Sequence, residues 1–331
     1  MCKIERQTII ANYIKTINWH GDAIVDWASG GKQYFLNGQI GPSHTYFAFA
    51  FDAAITSANN TYAFIYQRLG TKGLLLKNGG LVREINRSHY FANAYEFPCA
   101  FIEIDGTTYL IHCPVAYNQL DFEDAETGEL VTNIPDRNPE DLFHSRLAVS
   151  PDNSLIISKG WVWHPLNEVC IFNAKECLSS PKLLDNTNNQ PPCGVEICTA
   201  SFIDDKRILI GSTEEIIDDE DLRMPAKHIA IWDLEAKALL KPVAVKVEFG
   251  RLYAIDGTFA WDLYDFPKII AIDTGEIVDK DERINTGKNR SAITNSLTAN
   301  AQISFNSHTK QVAICGEDKI EVLTPSFINR K

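Results

Sequence analysis

The chain is predicted to be all-β, assembled from one short strand unit repeated along its length. Short apolar, β-branched runs recur from end to end, as strands demand. Between them stand clusters of Ser, Pro, Asp, Asn and Gly, which are turn residues. The 331 residues are 45% hydrophobic and 22% charged, an ordinary globular balance that excludes a disordered tail, a collagen or a coiled coil.

The clearest unit is Leu147–Ser158. Its turn, Ser150-Pro151-Asp152-Asn153, fixes one φ through Pro and lets Asp and Asn bond back to the backbone. Further copies are Ala54–Ile65, Ala200–Ile210 and Gln302–Ile314, with weaker ones near Ile24, Phe101 and Val247. A third strand follows each pair, as in Lys227–Leu234, Glu168–Asn173 and Pro267–Asp273. Glu126-Thr127-Gly128-Glu129 and Asp273-Thr274-Gly275-Glu276 then read as tight hairpins. Most copies lie about 45 to 55 residues apart, the blade range of propellers. Seven starts can be counted: Ile24, Ile55, Phe101, Val149, Phe202, Val247 and Phe305. Six or eight blades are the neighbouring alternatives.

With Trp232-Asp233 closing a third strand, the pattern resembles a degenerate WD-repeat-like β-propeller over nearly the whole chain. The resemblance implies one closed propeller of four-stranded antiparallel blades over residues 1–331, with almost no helix. The last copy offers three strands, Ala301–Phe305, Gln311–Cys315 and Lys319–Thr324. The apolar segment 7–13 has no blade of its own. It is expected to supply the fourth strand and cover the exposed edge; a short amphipathic helix is the competing reading.

The net charge of −12 repels phosphate backbones, so nucleic acid is excluded and a basic partner is favoured. No run approaches the roughly 18 apolar residues of a membrane span. Residues Met1–Gln7 carry no secretory apolar region, and the expectation is a soluble, cytoplasmic monomer. The eight cysteines include no Cys-x-x-Cys pair and sit mostly in apolar runs, so they read as reduced core residues rather than zinc ligands. No nucleophile elbow, P-loop, zinc-protease helix or EF-hand loop occurs, and no cofactor is expected.

The loops joining second to third strands stand out. The resemblance implies that they share the face on which such propellers bind partners. One loop carries Tyr117; the next carries Trp161, Trp163 and His164. The third carries Glu214, Glu215, Asp218, Asp219, Glu220 and Asp221, and the fourth Trp261, Asp262, Tyr264 and Asp265. Trp161 and Trp163 alternate, so they fit either packing between blades or contact with a partner. The acidic run fits a solvated insertion or an electrostatic lure; it lacks the turn glycine and alternation of a calcium loop. Together these fourteen residues are expected to form an acidic, aromatic-bearing surface for a basic protein. A bacterial immunity protein that neutralises a basic toxin domain is one specific version. A propeller hydrolase, lyase or lactonase with a loop-built or metal site is the enzymatic alternative.

Overall fold

The computed structural model describes residues 2–43, 45–220, 222–294 and 301–327. Seven small antiparallel sheets follow one another along the chain and form a seven-bladed propeller. Blade one holds Asn18–His20, Ala23–Asp26 and Lys32–Phe35; blade two holds Ala53–Thr56, Tyr62–Tyr66, Lys72–Lys77 and Gly80–Asn86. Blade three comprises Cys99–Ile104, Thr107–His112 and Asp121–Asp124; blade four comprises Ala148–Val149, Leu155–Val162 and Leu166–Asn173. Blade five is Val195–Phe202, Arg207–Ile216, His228–Asp233 and Ala238–Leu239, with Val243–Ala244 also on its third strand. Blade six is Leu252–Ala254, Phe259–Asp262, Lys268–Ala271 and Ile277–Lys280. Blade seven joins Ile303–Phe305, Val312–Cys315 and Lys319–Phe327 to the N-terminal strand Cys2–Ile10.

A sheet with two apolar faces needs a neighbour on each. Seven buried clusters meet that need, one between every consecutive pair of blades. The last of these, with Ile9, Ile24, Tyr34 and Val322, joins blade seven to blade one and completes the ring. All eight cysteines are free thiols, and seven are buried. Among the described residues no helix is long and apolar enough to cross a membrane. The one α-helix, Ala174–Ser179, is capped by Asn173, whose side chain accepts the Glu176 N–H.

The repeated turn works as its residues require. Asn153 sits at φ 60, and Ser150 Oγ accepts the amides of Ser154 (3.1 Å) and Leu155 (2.9 Å). The turns also tie blades together: the Glu103 amide donates to Asn153 Oδ1 (3.1 Å), and the Asp152 amide to Asp205 Oδ1 (2.9 Å).

Several details differ from the sequence-based expectation. Blades one, three and four carry three regular strands rather than four. In blades one and three the outer strand shrinks to single bridges, Tyr34↔Ile40 and Glu123↔Leu130. In blade four the helical segment packs Ala174, Cys177 and Leu184 where an outer strand would lie. Ile24 belongs to a second strand, and Val247 precedes the first strand of its blade, Leu252–Ala254. The N-terminal strand runs over Cys2–Ile10 rather than 7–13, in register from Cys2↔Phe327 to Ile10↔Lys319. Ala11 makes the last backbone contact, to the Asp318 carbonyl (3.1 Å), and the chain turns away at Tyr13, φ 59.

Arg6 clasps this closing strand. Its guanidinium donates twice to Glu321, at 2.9 and 2.6 Å, and once to Asp281 of the neighbouring blade, at 3.1 Å. Burial pulls the Glu321 carboxyl up, but Arg6, Lys319 and Thr8 hold it at about 2. Arg283, and behind it Arg6, hold Asp281 at about 2 as well. Depressed carboxyls stabilise above their unfolded values and lose that contribution as pH falls through the folded ones. Replacing Arg6 with Met is therefore expected to cost about 2 kcal/mol near neutrality. The difference from the native chain should shrink as pH drops from about 4 towards about 2, as followed by chemical denaturation.

Candidate functional site

The loops between second and third strands, and those joining one blade to the next, lie at the same end of the ring. Here the chain gathers aromatic rings from four separate loops. Phe143 lies flat on Trp161, with centroids 3.9 Å apart and planes 9° from parallel. Trp163 meets Phe91 edge-on at 5.0 Å and Trp161 edge-on at 5.4 Å. Tyr90 packs at 4.7 Å from Tyr117, which lies 4.5 Å from Phe143. Tyr95 closes the base, edge-on to Phe143 at 5.4 Å.

Local sequence explains this gathering. The short first strand of blade four pairs only with Ile156 and Ile157, so on that edge the amide and carbonyl of Trp161 stay available and pair with those of Phe143 at 3.1 and 2.9 Å. The approach needs Gly160, because a Cβ there would stand 2.3 Å from the Phe143 carbonyl oxygen. Trp161 still belongs to the strand and packs inward, whereas Trp163 lies in the turn just past its last residue, Val162, and stands further out. Trp161 is 3% exposed, whereas Trp163 is 40%, Tyr90 44% and Phe91 41% exposed. These three rings form a contiguous apolar surface resting on Phe143 and Trp161. His164 is exposed at the hairpin tip, with φ 86. Tyr117 is half-buried, and its hydroxyl donates to Asp141 at 2.6 Å. Burial and that carboxylate raise the Tyr117 phenol, so it stays a neutral donor.

The acidic loop follows in the next blade. Glu214 is ion-paired with Lys227 (2.8 Å) and Arg290 (2.9 Å), and Lys227 holds its carboxyl below the usual range. Glu215, Asp218, Asp219 and Glu220 are exposed, and the Glu220 amide donates to Asp218 Oδ1 at 2.9 Å. Glu215, Asp219 and Glu220 have no ion-pair partner among the described residues. Asp221 lies outside the described residues.

The fourth loop requires a correction. Trp261 and Asp262 end the second strand of blade six and are wholly buried. Trp261 packs in the core between blades six and seven, and its indole N–H donates to the Lys310 carbonyl at 2.8 Å. Asp262 forms a buried ion pair with Lys268 at 2.9 Å and accepts the amides of Gly250 and Arg251, both at 3.1 Å. Both residues hold the blade together and are out of a partner's reach, as is Trp161, which supports the aromatic surface from beneath. Tyr264 and Asp265 are half-buried; Asp265 pairs with Lys288 at 3.5 Å.

The structure thus unites Tyr117, Trp161 and Trp163, and adds Tyr90, Phe91, Tyr95 and Phe143. A Tyr-Phe pair in the polar stretch Ser88-His89-Tyr90-Phe91 was the available signal for two of these. Phe143 carries no local signal, since Gly160 brings it in from another loop. Among the described residues no group of three or more His, Cys, Asp or Glu is placed to hold a metal ion. The buried thiols are raised by burial, Cys99 and Cys198 to about 12, which leaves them poor nucleophiles.

No protein-family model matches the chain, and no curated protein matches its sequence. Solved structures do match, 967 chains in all. One is a structure of streptogramin B lyase, with a TM-score of 0.56, 10% sequence identity and 98% of each chain covered. At that identity the likeness shows the fold, a β-propeller, and no more.

The two Trp residues separate by experiment. Trp161→Ala removes a ring stacked inside the cluster and is expected to cost about 3 to 5 kcal/mol of stability. Trp163→Ala removes an exposed ring and should change stability by less than about 1 kcal/mol. Denaturant titrations of the two variants check both values.

Proposed function

We propose that this chain is a non-catalytic interaction propeller that binds a basic protein through the loop face of blades two to five. The observation that carries the reading is the surface of Tyr90, Phe91 and Trp163. It is a contiguous aromatic patch on a packed base, next in sequence order to a loop that exposes the carboxylates of Glu215, Asp219 and Glu220. Exposed aromatic rings of this kind are what partner proteins bury as anchors. The carboxylates of Glu215, Asp219 and Glu220 add the charge that attracts a basic partner over a distance and orients it on arrival. The WD-repeat-like propellers that the sequence resembles use the same class of loops. The two parts divide the work: rings hold the complex, and carboxylates speed its formation.

Parallel pull-downs from a native extract test this with three baits: the native chain, Phe91→Ala/Trp163→Ala, and Asp218→Asn/Asp219→Asn/Glu220→Gln. The reading expects a basic protein captured by the native chain and depleted with both variants. With that protein purified, loss of the rings should weaken binding by about 2 kcal/mol, mainly through a faster off-rate. Loss of the carboxylates should slow association by about tenfold at low salt, with little effect in high salt. Folded variants that capture the same proteins as the native chain would reject this face as the binding surface.

A further inference from the structure

The ring encloses a central channel of about 910 Å³, lined by residues of the first strands of blades one, two, five, six and seven and by residues just before those of blades three and four. Its walls are unlike the acidic exterior. Four cations line it, Arg68, Arg146, Lys159 and Arg251, and among the described residues its only carboxylates are Glu96 and Asp22. The cations lie at one end. Arg68 follows the second strand of blade two, while Arg146 and Arg251 precede the first strands of blades four and six. Glu96 precedes blade three at the same level, whereas Asp22 sits in the first turn of blade one, at the opposite mouth.

That end is spanned by the segment 287–294. It pairs with Asp265 of blade six through Gly287, and its Arg290 bridges to Glu214 and Glu248, both at 2.9 Å. The Ala292 amide donates to Asn167 of blade four at 2.6 Å, and Ile293 forms a bridge with Tyr95, before blade three. Arg146 donates to the Arg290 carbonyl of this strap at 3.4 Å. The opposite mouth is rimmed by the turns carrying Gly21, Ser57 and Asn306. The cations therefore form the floor of a funnel that is entered from the face opposite the aromatic patch.

None of the four cations makes an ion pair within 4 Å among the described residues. Arg146 is met only by oxygens without a charge: the Lys159 carbonyl at 3.2 Å, those of Cys198 and Arg290 at 3.4 Å, and the Asn167 amide at 3.5 Å. Lys159 reaches only the Ala200 carbonyl, at 3.4 Å. Burial, and then the charge of Arg146, push the Lys159 ammonium down to about 7. Arg146 also holds φ 46, a left-handed conformation that a side chain adopts only when its surroundings fix it. With four cations against Glu96, and Asp52 beside Arg68, the floor still carries a net positive charge when Lys159 is protonated. Grouping like charges in a sheltered cavity is unfavourable unless something of opposite sign occupies it.

We propose that the channel floor is a binding site for a small molecule bearing two or more negative charges, a phosphate ester or a polycarboxylate. Planar guanidiniums from three blades suit the paired oxygens of such groups, and the sheltered setting strengthens each contact. A metal cation would meet repulsion there. The −12 exterior keeps nucleic acid away while leaving the narrow funnel open to a small anion.

Isothermal titration of the intact protein, in low-salt buffer free of phosphate, tests this with two probes, pyrophosphate and citrate. At least one should bind with one-to-one stoichiometry; preference for pyrophosphate assigns phosphate esters, and preference for citrate assigns polycarboxylates. Arg251→Gln removes a cation whose side chain makes no hydrogen bond to another described residue, and should weaken binding about tenfold. Glu96→Gln removes the opposing charge and should tighten binding by about threefold. Trp163→Ala, on the other face, should leave it unchanged. No heat with either probe up to about 1 mM would overturn the proposal. Equal affinity in the native chain, Arg251→Gln and Glu96→Gln would overturn it too, because the anion would then sit elsewhere.

Discussion

Everything in this molecule depends on the need to cover both faces of every small sheet. No blade could bury its apolar side chains alone, and a row of blades would leave two sheets half exposed. Closing the row into a ring removes both ends at once. Closure falls to one antiparallel pair, Cys2–Ile10 with Lys319–Phe327, so the first and last strands of the chain share a sheet. Arg6 reinforces it by joining Glu321 of that sheet to Asp281 of the sheet before. The seven interblade clusters are then equivalent in kind, and the channel follows as the space that the ring leaves at its centre.

The same constraint frees other parts of the chain. Inner and middle strands pack on both sides and keep their form. Outer strands face solvent along one edge, and in blades one and three they fade to single bridges. Loops at the ends of the blades carry even less packing, so they can bear chemistry that a core would reject. At one end they carry Trp163, Tyr90 and Phe91 together with the carboxylates of Glu215, Asp219 and Glu220. At the inner ends of blades two, four and six they set Arg68, Arg146 and Arg251 around the channel. Acidic outer loops and a basic inner floor thus coexist on one scaffold, separated by the strap 287–294.

Much of the fold was legible because its signals are local. Ser150-Pro151-Asp152-Asn153 reads as a turn from its own chemistry, and Ile156, Ile157 and Ile171 read as strand core from theirs. Trp232-Asp233 marked a third strand because Trp232 fills the core between blades four and five while Asp233 accepts the Ala236 amide and fixes the next turn. Features set by distant contacts were not legible. Alternation puts Trp161 and Trp163 on one face; that one is buried and the other exposed depends on where the strand ends, at Val162, and on Phe143, seated by the bare backbone of Gly160. Trp261-Asp262 read as part of the fourth loop, yet the strand runs through Asp262, which faces Lys268 in the sheet and pairs with it in the buried core. The channel cations are scattered from Arg68 to Arg251 with no common motif, and only the ring brings them to one level.

Native-state hydrogen exchange tests the closure most directly, because it resolves the terminal strands from the rest. If the ring depends on the Cys2–Ile10 pairing, the amides that bond across this ladder should open only with the whole molecule. Their exchange free energies and denaturant dependence should then match those of core strands such as Tyr62–Tyr66. Exchange of the ladder at a much lower free energy, with the inner blades still protected, would show that the strand frays independently. The ring would then hold together without its clasp, contrary to this account.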